Sequence, residues 1–185
     1  MPFLGTLLLM FLHKIFVARF TPELVQYTLL FIFFSTFLIP AIGSFIMMKQ
    51  GMISSLQMPE KGERKYPYLL TVIIYSLTGY MMNNLGFPRI MVFFIIGITL
   101  VITLLSLINI RYKISAHSAG VGGLVAFSFL IGDQSIVDFR WIMISALIIA
   151  GLVMSSRIYL KAHRPSQVYT GFLLGFLVIF ISGIL

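Results

Sequence analysis

The sequence contains no cysteine and few charged residues. The lack of cysteine excludes a disulfide framework, a thiol nucleophile and a thiolate metal site. Charged residues make up 10% of the chain, whereas a soluble domain carries about 25%. Asp and Glu together number only 5, which leaves too few carboxylates for a metal cluster held by acidic ligands. The composition therefore argues against a soluble domain, and no metal site is predicted.

Long apolar runs make up most of the chain. Hydrophobic residues account for 59% of the 185 residues, and the mean hydropathy is +1.05. A membrane-spanning helix needs roughly 20 apolar residues, and an unbroken apolar run favours a helix over a strand of alternating polarity. We predict an all-α polytopic membrane bundle with about six transmembrane helices, near residues 23–49, 67–85, 89–111, 116–132, 139–160 and 165–185.

An additional N-terminal helix is predicted over Met1–Phe20. Its apolar stretch is followed, not preceded, by His13, Lys14 and Arg19, which is the reverse of the charge order in a cleavable signal peptide. We expect this helix to lie at the membrane interface or to span the membrane in part. No repeat or flexible linker divides the chain, so residues 1–185 are predicted to form one integral-membrane domain.

The net charge of +8 comes from basic residues at the predicted helix ends. Cations at these positions meet lipid headgroups or anionic substrates, so we predict no nucleic-acid partner. Nine of the 13 basic residues fall on the membrane side that carries the polar segments described next. The positive-inside rule assigns that side to the cytoplasm, and the expected location is a bacterial inner membrane. Up to six of the nine are available to bind phosphate, so the opposite orientation stays open.

Three polar islands interrupt the apolar chain, at residues 61–67, 113–117 and 156–163. Two of the three histidines, His117 and His163, lie in them. An ionisable side chain near hydrocarbon is costly, so in a membrane protein it marks a functional site by default. Two predicted spans separate each island from the next, and an even number of crossings returns the chain to the same face. We therefore expect the three islands to form one site.

Each island also has a simpler interpretation. Arg157, Lys161 and Arg164 can extend to lipid headgroups, and His163 would then be an ordinary interfacial residue. Small residues follow His117, and such residues form packing faces because they let membrane helices approach closely. A packing face does not need an imidazole, so the packing interpretation suits the glycines better than the histidine. The glycines concerned are Gly120, Gly122 and Gly123.

The third island carries the most specific pattern. Ser156-Arg157 is followed after five residues by His163 and, after three more, by Gln167. Pro165 suits the first turn of the next helix, whose free N–H groups favour an anion, and Gln167 lies one helical turn after the histidine. This pattern resembles the third motif of the type 2 phosphatidic acid phosphatase superfamily, which includes the vanadium haloperoxidases. The family has Asp in the place of Gln167.

The other two islands resemble that family less closely. In its second motif, Pro-Ser-Gly-His, the chain keeps Ser115 and His117 and has Ile114 and Ala116 at the other two positions. The first motif is Lys, six residues, Arg-Pro. This chain has Lys61, Arg64 and Lys65 before Pro67, and Tyr66 stands in the place of the Arg. The spacing differs from that of the motif by two residues.

The resemblance implies a membrane lipid-phosphate phosphatase that acts on a phosphomonoester or diphosphate headgroup without metal or cofactor. His163 would attack the phosphorus and form a phosphohistidine, and His117 would protonate the leaving alkoxide and then activate water. Gln167 would orient the His163 ring, as an amide does in papain-like proteases. The expected phosphate-binding residues are Arg157, Lys61, Arg64, Lys65, Ser115 and Ser156.

Two other functions stay open. A catalytically silent protein of the same fold would bind or transport an anionic lipid headgroup with the same cations, since the amide of Gln167 cannot stabilise an imidazolium by charge. A proton-coupled transporter would use His117 and His163 as relay groups. Among substrates, phosphatidic acid, phosphatidylglycerol phosphate, phosphorylated inositol lipids and polyprenyl diphosphate all fit a site at the membrane surface. The sequence indicates no particular oligomeric state.

Overall fold

The structure is a computed structural model that describes residues 2–12, 21–56, 58, 60, 62–132 and 138–184. Within these residues the chain is helical and contains no strand. Its helices are α1 (Pro2–Leu12), α2 (Pro22–Lys49), α3 (Lys65–Asn84), α4 (Arg89–Asn109), α5 (Ala116–Gly132), α6 (Phe139–Tyr159) and α7 (Pro165–Ile184). A single 3₁₀ turn, Gly62–Arg64, precedes α3.

The predicted all-α bundle is confirmed. Each of the six helices from α2 to α7 begins and ends within two residues of its predicted bounds. The predicted N-terminal helix is observed over Pro2–Leu12, and the basic residues predicted to end it, His13, Lys14 and Arg19, lie outside the described residues.

The described helices have the lengths and surfaces of a multi-pass membrane protein. Four of them, α2, α4, α6 and α7, are long and apolar enough to cross a membrane, and α5 is apolar but has 17 residues. Large apolar side chains such as Trp141 and Leu152 lie exposed on the outside of the bundle. A surface of this kind suits contact with lipid, whereas in water it would promote aggregation.

Helix α5 is the central element of the bundle, because every residue from Val121 to Ser128 is buried. On one side it approaches α7 backbone to backbone, since a Cβ built on Gly122 would collide with the carbonyl oxygen of Phe172. A Cβ on Gly123 would lie 3.1 Å from the Ile179 side chain. The packing face predicted after His117 is therefore present at Gly122 and Gly123.

Helix α7 contributes two glycines, one turn apart, to the same contact. A Cβ on Gly175 would collide with the backbone of Ala119, and one on Gly171 would lie 2.5 Å from the carbonyl oxygen of Ser115. Small residues at both helices allow this close crossing. The crossing fixes the register of α5 against α7, and hence the relative positions of the polar residues at their N-terminal ends.

Helix α2 contains a π-helical segment, Phe34–Leu38, beside a proline. Pro40 has no N–H, so the carbonyl of Thr36 does not receive the usual bond from the residue four positions on. The buried hydroxyl of Tyr75 in α3 donates to that carbonyl at 2.7 Å. The bond satisfies a backbone acceptor inside the apolar part of the bundle and ties α2 to α3.

Candidate active site

The structure brings the three polar islands together at one end of the bundle, as the crossing count predicts. Nη1 of Arg64, from the first island, donates to the carbonyl of Ile114 in the second island at 3.2 Å. The backbone N–H of Ser115 in the second island donates to the carbonyl of Gln167, just after the third island, at 3.1 Å. The islands are separated in sequence by whole helices, so helix packing alone places them side by side.

Gln167 holds both the ring of His163 and the start of α7. Its Oε1 lies 3.3 Å from His163 Nδ1 and accepts the backbone N–H of Arg164 at 3.1 Å. A backbone N–H can only donate, so the shared atom is the amide oxygen and His163 Nδ1 is the donor. The neutral ring therefore carries its lone pair on Nε2. The bond from the Arg164 N–H to the Gln167 side chain is one of the two bonds of a capping box, the one that the Gln at position N3 makes with the N-cap residue.

Burial and nearby positive charge lower the pKa of His163. The ring lies in the turn between α6 and α7, where desolvation has the largest effect and the Arg64 guanidinium the next. The hydrogen bond to Gln167 and a hydrogen bond to the Lys113 carbonyl act in the opposite direction. Because the lowering causes prevail, the pKa of His163 lies below the ordinary histidine value, and the ring is protonated only at lower pH than an ordinary histidine.

The turn before His163 has a fixed backbone shape. The N–H of Lys161 donates to the carbonyl of Ile158 at 2.9 Å, and that of Ala162 donates to the carbonyl of Arg157 at 3.1 Å. This pair of bonds is the Schellman motif, which needs a left-handed residue just after the helix. Lys161 supplies it with a φ of 51°. The motif sets how far His163 lies from Arg157, so the spacing of the third island follows from this helix end.

Sequence reasoning missed the role of Lys161. The same motif ends α2 and α3, where Gly51 and Gly86 supply the left-handed residue with φ of 74° each. Glycine at those two positions is a readable signal, because it adopts positive φ without steric cost. A lysine gives no such signal. A strained non-glycine residue next to a polar cluster is typical of functional sites.

Arg157 and His117 complete the cluster. Arg157 is half-buried, and its Nε is buried with no hydrogen-bond partner among the described residues. A buried donor without a partner is costly, and an anionic oxygen would relieve that cost. His117, in the first turn of α5, is exposed and lies within the electrostatic reach of Arg157, His163 and Arg64. The cluster thus combines two imidazoles with two fixed cations.

The remaining residues predicted to bind phosphate are placed differently. Ser156 donates to the carbonyl of Val153 in its own helix at 2.7 Å. Ser115 is fully buried, and its Oγ accepts the hydroxyl of Ser118 at 2.9 Å. Lys65 is exposed, with Nζ 5.8 Å from the centroid of the Tyr66 ring. Lys61 lies outside the described residues.

The family comparison covers the part of the chain that carries both histidines. Residues 106–183 match the family model of the PAP2 superfamily. No curated protein and no solved structure matches the chain. The matched residues run from the end of α4 through α7 and include the second and third islands. This region of the chain is therefore similar to the PAP2 superfamily, in agreement with the resemblance of the second and third motifs. The superfamily points to phosphatase-type chemistry.

Proposed function

We propose that this protein hydrolyses a phosphorylated membrane lipid, with His163 as the nucleophile. The observation that carries the proposal is the arrangement around one ring. His163 is held by Gln167 through Nδ1 at 3.3 Å, and the positive charges of Arg64 and Lys113 act on its ring. His117 and Arg157 lie in the same cluster. Phosphoryl transfer needs little more from a protein than such positioning and charge stabilisation.

The reaction then follows in two displacements. Nε2 of His163 attacks the phosphorus, the P–O bond to the lipid breaks, and His117 gives a proton to the leaving oxygen. Water next attacks the phosphohistidine while His117 takes a proton from it, the P–N bond breaks, and inorganic phosphate leaves. Arg157 neutralises the charge on the non-transferred oxygens, for which its unpartnered Nε is suited. The histidines finish in the states in which they began.

The substrate class follows from the position of the cluster at the end of an apolar bundle. A headgroup at this end can reach the cluster while its tails remain in the bilayer. A lipid phosphomonoester or diphosphate fits this arrangement, and phosphatidic acid is the simplest to test. We place the protein in a bacterial inner membrane with the cluster toward the cytoplasm, on the strength of the basic residues at that end.

One observation favours a second function, the binding or transport of a lipid headgroup without hydrolysis. The partner of the His163 ring is an amide, which orients the ring but adds no negative charge to stabilise an imidazolium. A cluster with this partner still binds an anionic headgroup. Phosphate release by the purified protein separates the two functions, because binding or transport alone releases none.

The test is phosphate release from phosphatidic acid in mixed micelles. We expect the wild-type protein to release phosphate, His163→Ala to release none, and Arg157→Lys to lose activity severely because a point charge cannot replace a bidentate fork. Arg140→Lys is the matched control: Arg140 is exposed and pairs with Asp138 at 2.8 Å at the opposite end of α6, about 25 Å from Arg157 along the helix. Wild-type turnover in His163→Ala would refute the assignment of the nucleophile.

A further inference from the structure

The guanidinium of Arg64 forms its hydrogen bonds with other groups of the protein. It is 6% exposed, and its Nε donates to the carbonyl of Met58 at 3.2 Å. Nη1 donates to the carbonyl of Ile114 at 3.2 Å, and the side chain also bonds the Tyr68 hydroxyl. These partners belong to the loop before α3, to the segment before α5, and to the first turn of α3. A single buried cation thus joins three parts of the chain.

The neighbouring Glu63 fixes the same loop from the other side. Its carboxylate accepts the backbone N–H of Ser54 at 2.7 Å and that of Glu60 at 3.4 Å. The side chain and backbone N–H of Ser54 hold the pKa of this carboxyl below its ordinary value, so it stays ionised at neutral pH. Glu63 therefore supplies acceptors for backbone donors of the loop, while Arg64 supplies a donor for a backbone acceptor.

The contacts of Arg64 lead directly to both histidines. Ile114 is followed by Ser115, whose N–H donates to the Gln167 carbonyl at 3.1 Å, and Gln167 holds the ring of His163. His117 begins α5 two residues after Ser115. A shift of the Ile114 carbonyl would therefore move His117, which lies three residues further on. It would also move the Ser115 N–H, which binds the carbonyl of Gln167, the residue that holds the His163 ring.

We propose that Arg64 is a positioning residue for the two histidines rather than a ligand of the phosphate. Its guanidinium ties the segment before α5 to the loop before α3 through the carbonyls of Ile114 and Met58, and its positive charge acts on the His163 ring. This proposal rests on the proposed function for its catalytic readout only. It assigns the direct phosphate contact to Arg157, whose Nε has no partner among the described residues, and gives Arg64 a separate task.

The charge of Arg64 gives the proposal a measurable signature. The charged groups acting on His163 and its neighbour His117 come from each adjoining segment: Arg64, Lys113, Arg157 and the second imidazole itself. Arg64 is the largest of the charges that lower the pKa of His163. Removing that charge should raise the pKa of His163, whereas removing a side chain that only holds the fold would not shift it in a defined direction.

The experiment compares Arg64→Lys, Arg64→Gln and the distant control Arg140→Gln in the purified full chain in detergent. Because the chain has three histidines, the His163 signal is assigned by its loss from the NMR spectrum of ¹³C-histidine-labelled His163→Ala. We expect Arg64→Gln to raise the pKa of His163. Arg64→Lys should keep the wild-type pKa but lower kcat roughly tenfold to a hundredfold, because an ammonium cannot hold both carbonyls in place. Arg140→Gln should change neither.

Inhibition by inorganic phosphate separates positioning from phosphate binding. We expect both Arg64 variants to be inhibited by phosphate within about twofold of wild type, and Arg157→Gln to lose that inhibition by roughly tenfold or more. An unchanged pKa of His163 in Arg64→Gln, or a loss of phosphate inhibition equal to that of Arg157→Gln, would overturn the proposal. If the wild-type protein hydrolyses no lipid phosphate, the proposed function fails, and the titration still decides the role of Arg64.

Discussion

Gln167 is the residue on which the chemistry of the cluster depends most. Its amide oxygen accepts from the His163 ring and from the backbone N–H of Arg164, so one atom orients the nucleophile and satisfies a helix start. Neither task needs a charge. The family's Asp would add one, and would thereby favour the imidazolium over the neutral ring. The amide orients the ring, whereas burial and the charge of Arg64 lower the pKa of His163 and favour the neutral ring that attacks phosphorus.

Substitution of Gln167 should change the rate and its pH dependence in defined directions. The hydrogen bond that His163 donates to Gln167 raises the pKa of His163, so Gln167→Ala should lower that pKa further and reduce kcat roughly tenfold to a hundredfold through loss of orientation. Gln167→Asp adds a negative charge, so the fall of kcat/KM on acidification should begin at a higher pH than in wild type. Activity at neutral pH should be kept or raised.

The control for this pair is Gln167→Glu, which keeps the length of the side chain and adds the same charge as Asp. Profiles of kcat/KM against pH for the four proteins provide the measurement. Identical profiles for wild type and Gln167→Ala would mean that Gln167 serves only the helix start.

At the scale of helices, the crossing of α5 and α7 decides whether the site forms. Gly175, Gly171 and the N–H of Ser115 lie along one contact between these helices. The contact ends at the carbonyl of Gln167, so the distance between the two histidine-bearing segments is set by how closely the helices approach. The site is thus built on helix packing, to which the turn at Lys161 adds a residue in the left-handed conformation.

A methyl group in this crossing should damage stability and activity together. Gly175→Ala places a Cβ against the backbone of Ala119, which cannot move aside as a side chain would. We expect a loss of about 1–3 kcal/mol, the usual cost of overpacking, and a lower kcat because α7 must shift away from Ser115. Thermal unfolding in detergent and phosphate release measure the two effects.

Gly151→Ala in α6 is the matched control for this change, since a Cβ there meets nothing within 4 Å. It should leave activity intact and stability equal or slightly higher, because alanine loses less backbone freedom than glycine on folding. If the two alanine variants behave alike, the close crossing does not govern the site.

For the whole molecule, the sequence was sufficient to predict the features that depend on long apolar runs and on the number of membrane crossings. The six helices from α2 to α7 were predictable because long unbroken apolar runs favour helices over strands of alternating polarity. The meeting of the islands was predictable because an even number of crossings returns the chain to one face. The pairing of Gln167 with His163 was predictable because residues four apart share a helix face.

What the sequence did not reveal depends on tertiary contacts. Nothing in the order Glu63-Arg64-Lys65 shows that the middle residue is buried against the Ile114 carbonyl while Lys65 stays exposed. Lys161 in a left-handed conformation has no sequence signal, and the bond from Tyr75 to Thr36 joins residues 39 positions apart. The contacts of Arg64 and Tyr75 exist only once the helices have packed, whereas the conformation of Lys161 is local but has no signal in the residue type.

The central claim, a phosphatase that works through His163, is tested most directly by looking for the covalent intermediate. Wild-type protein is mixed with phosphatidic acid, denatured within milliseconds at alkaline pH, where phosphohistidine survives, and mapped by mass spectrometry. We predict one phosphoryl group on His163 in wild-type protein and none in His163→Ala. Phosphate release without any phosphorylated His163, or a phosphoryl group on another residue, would contradict the account.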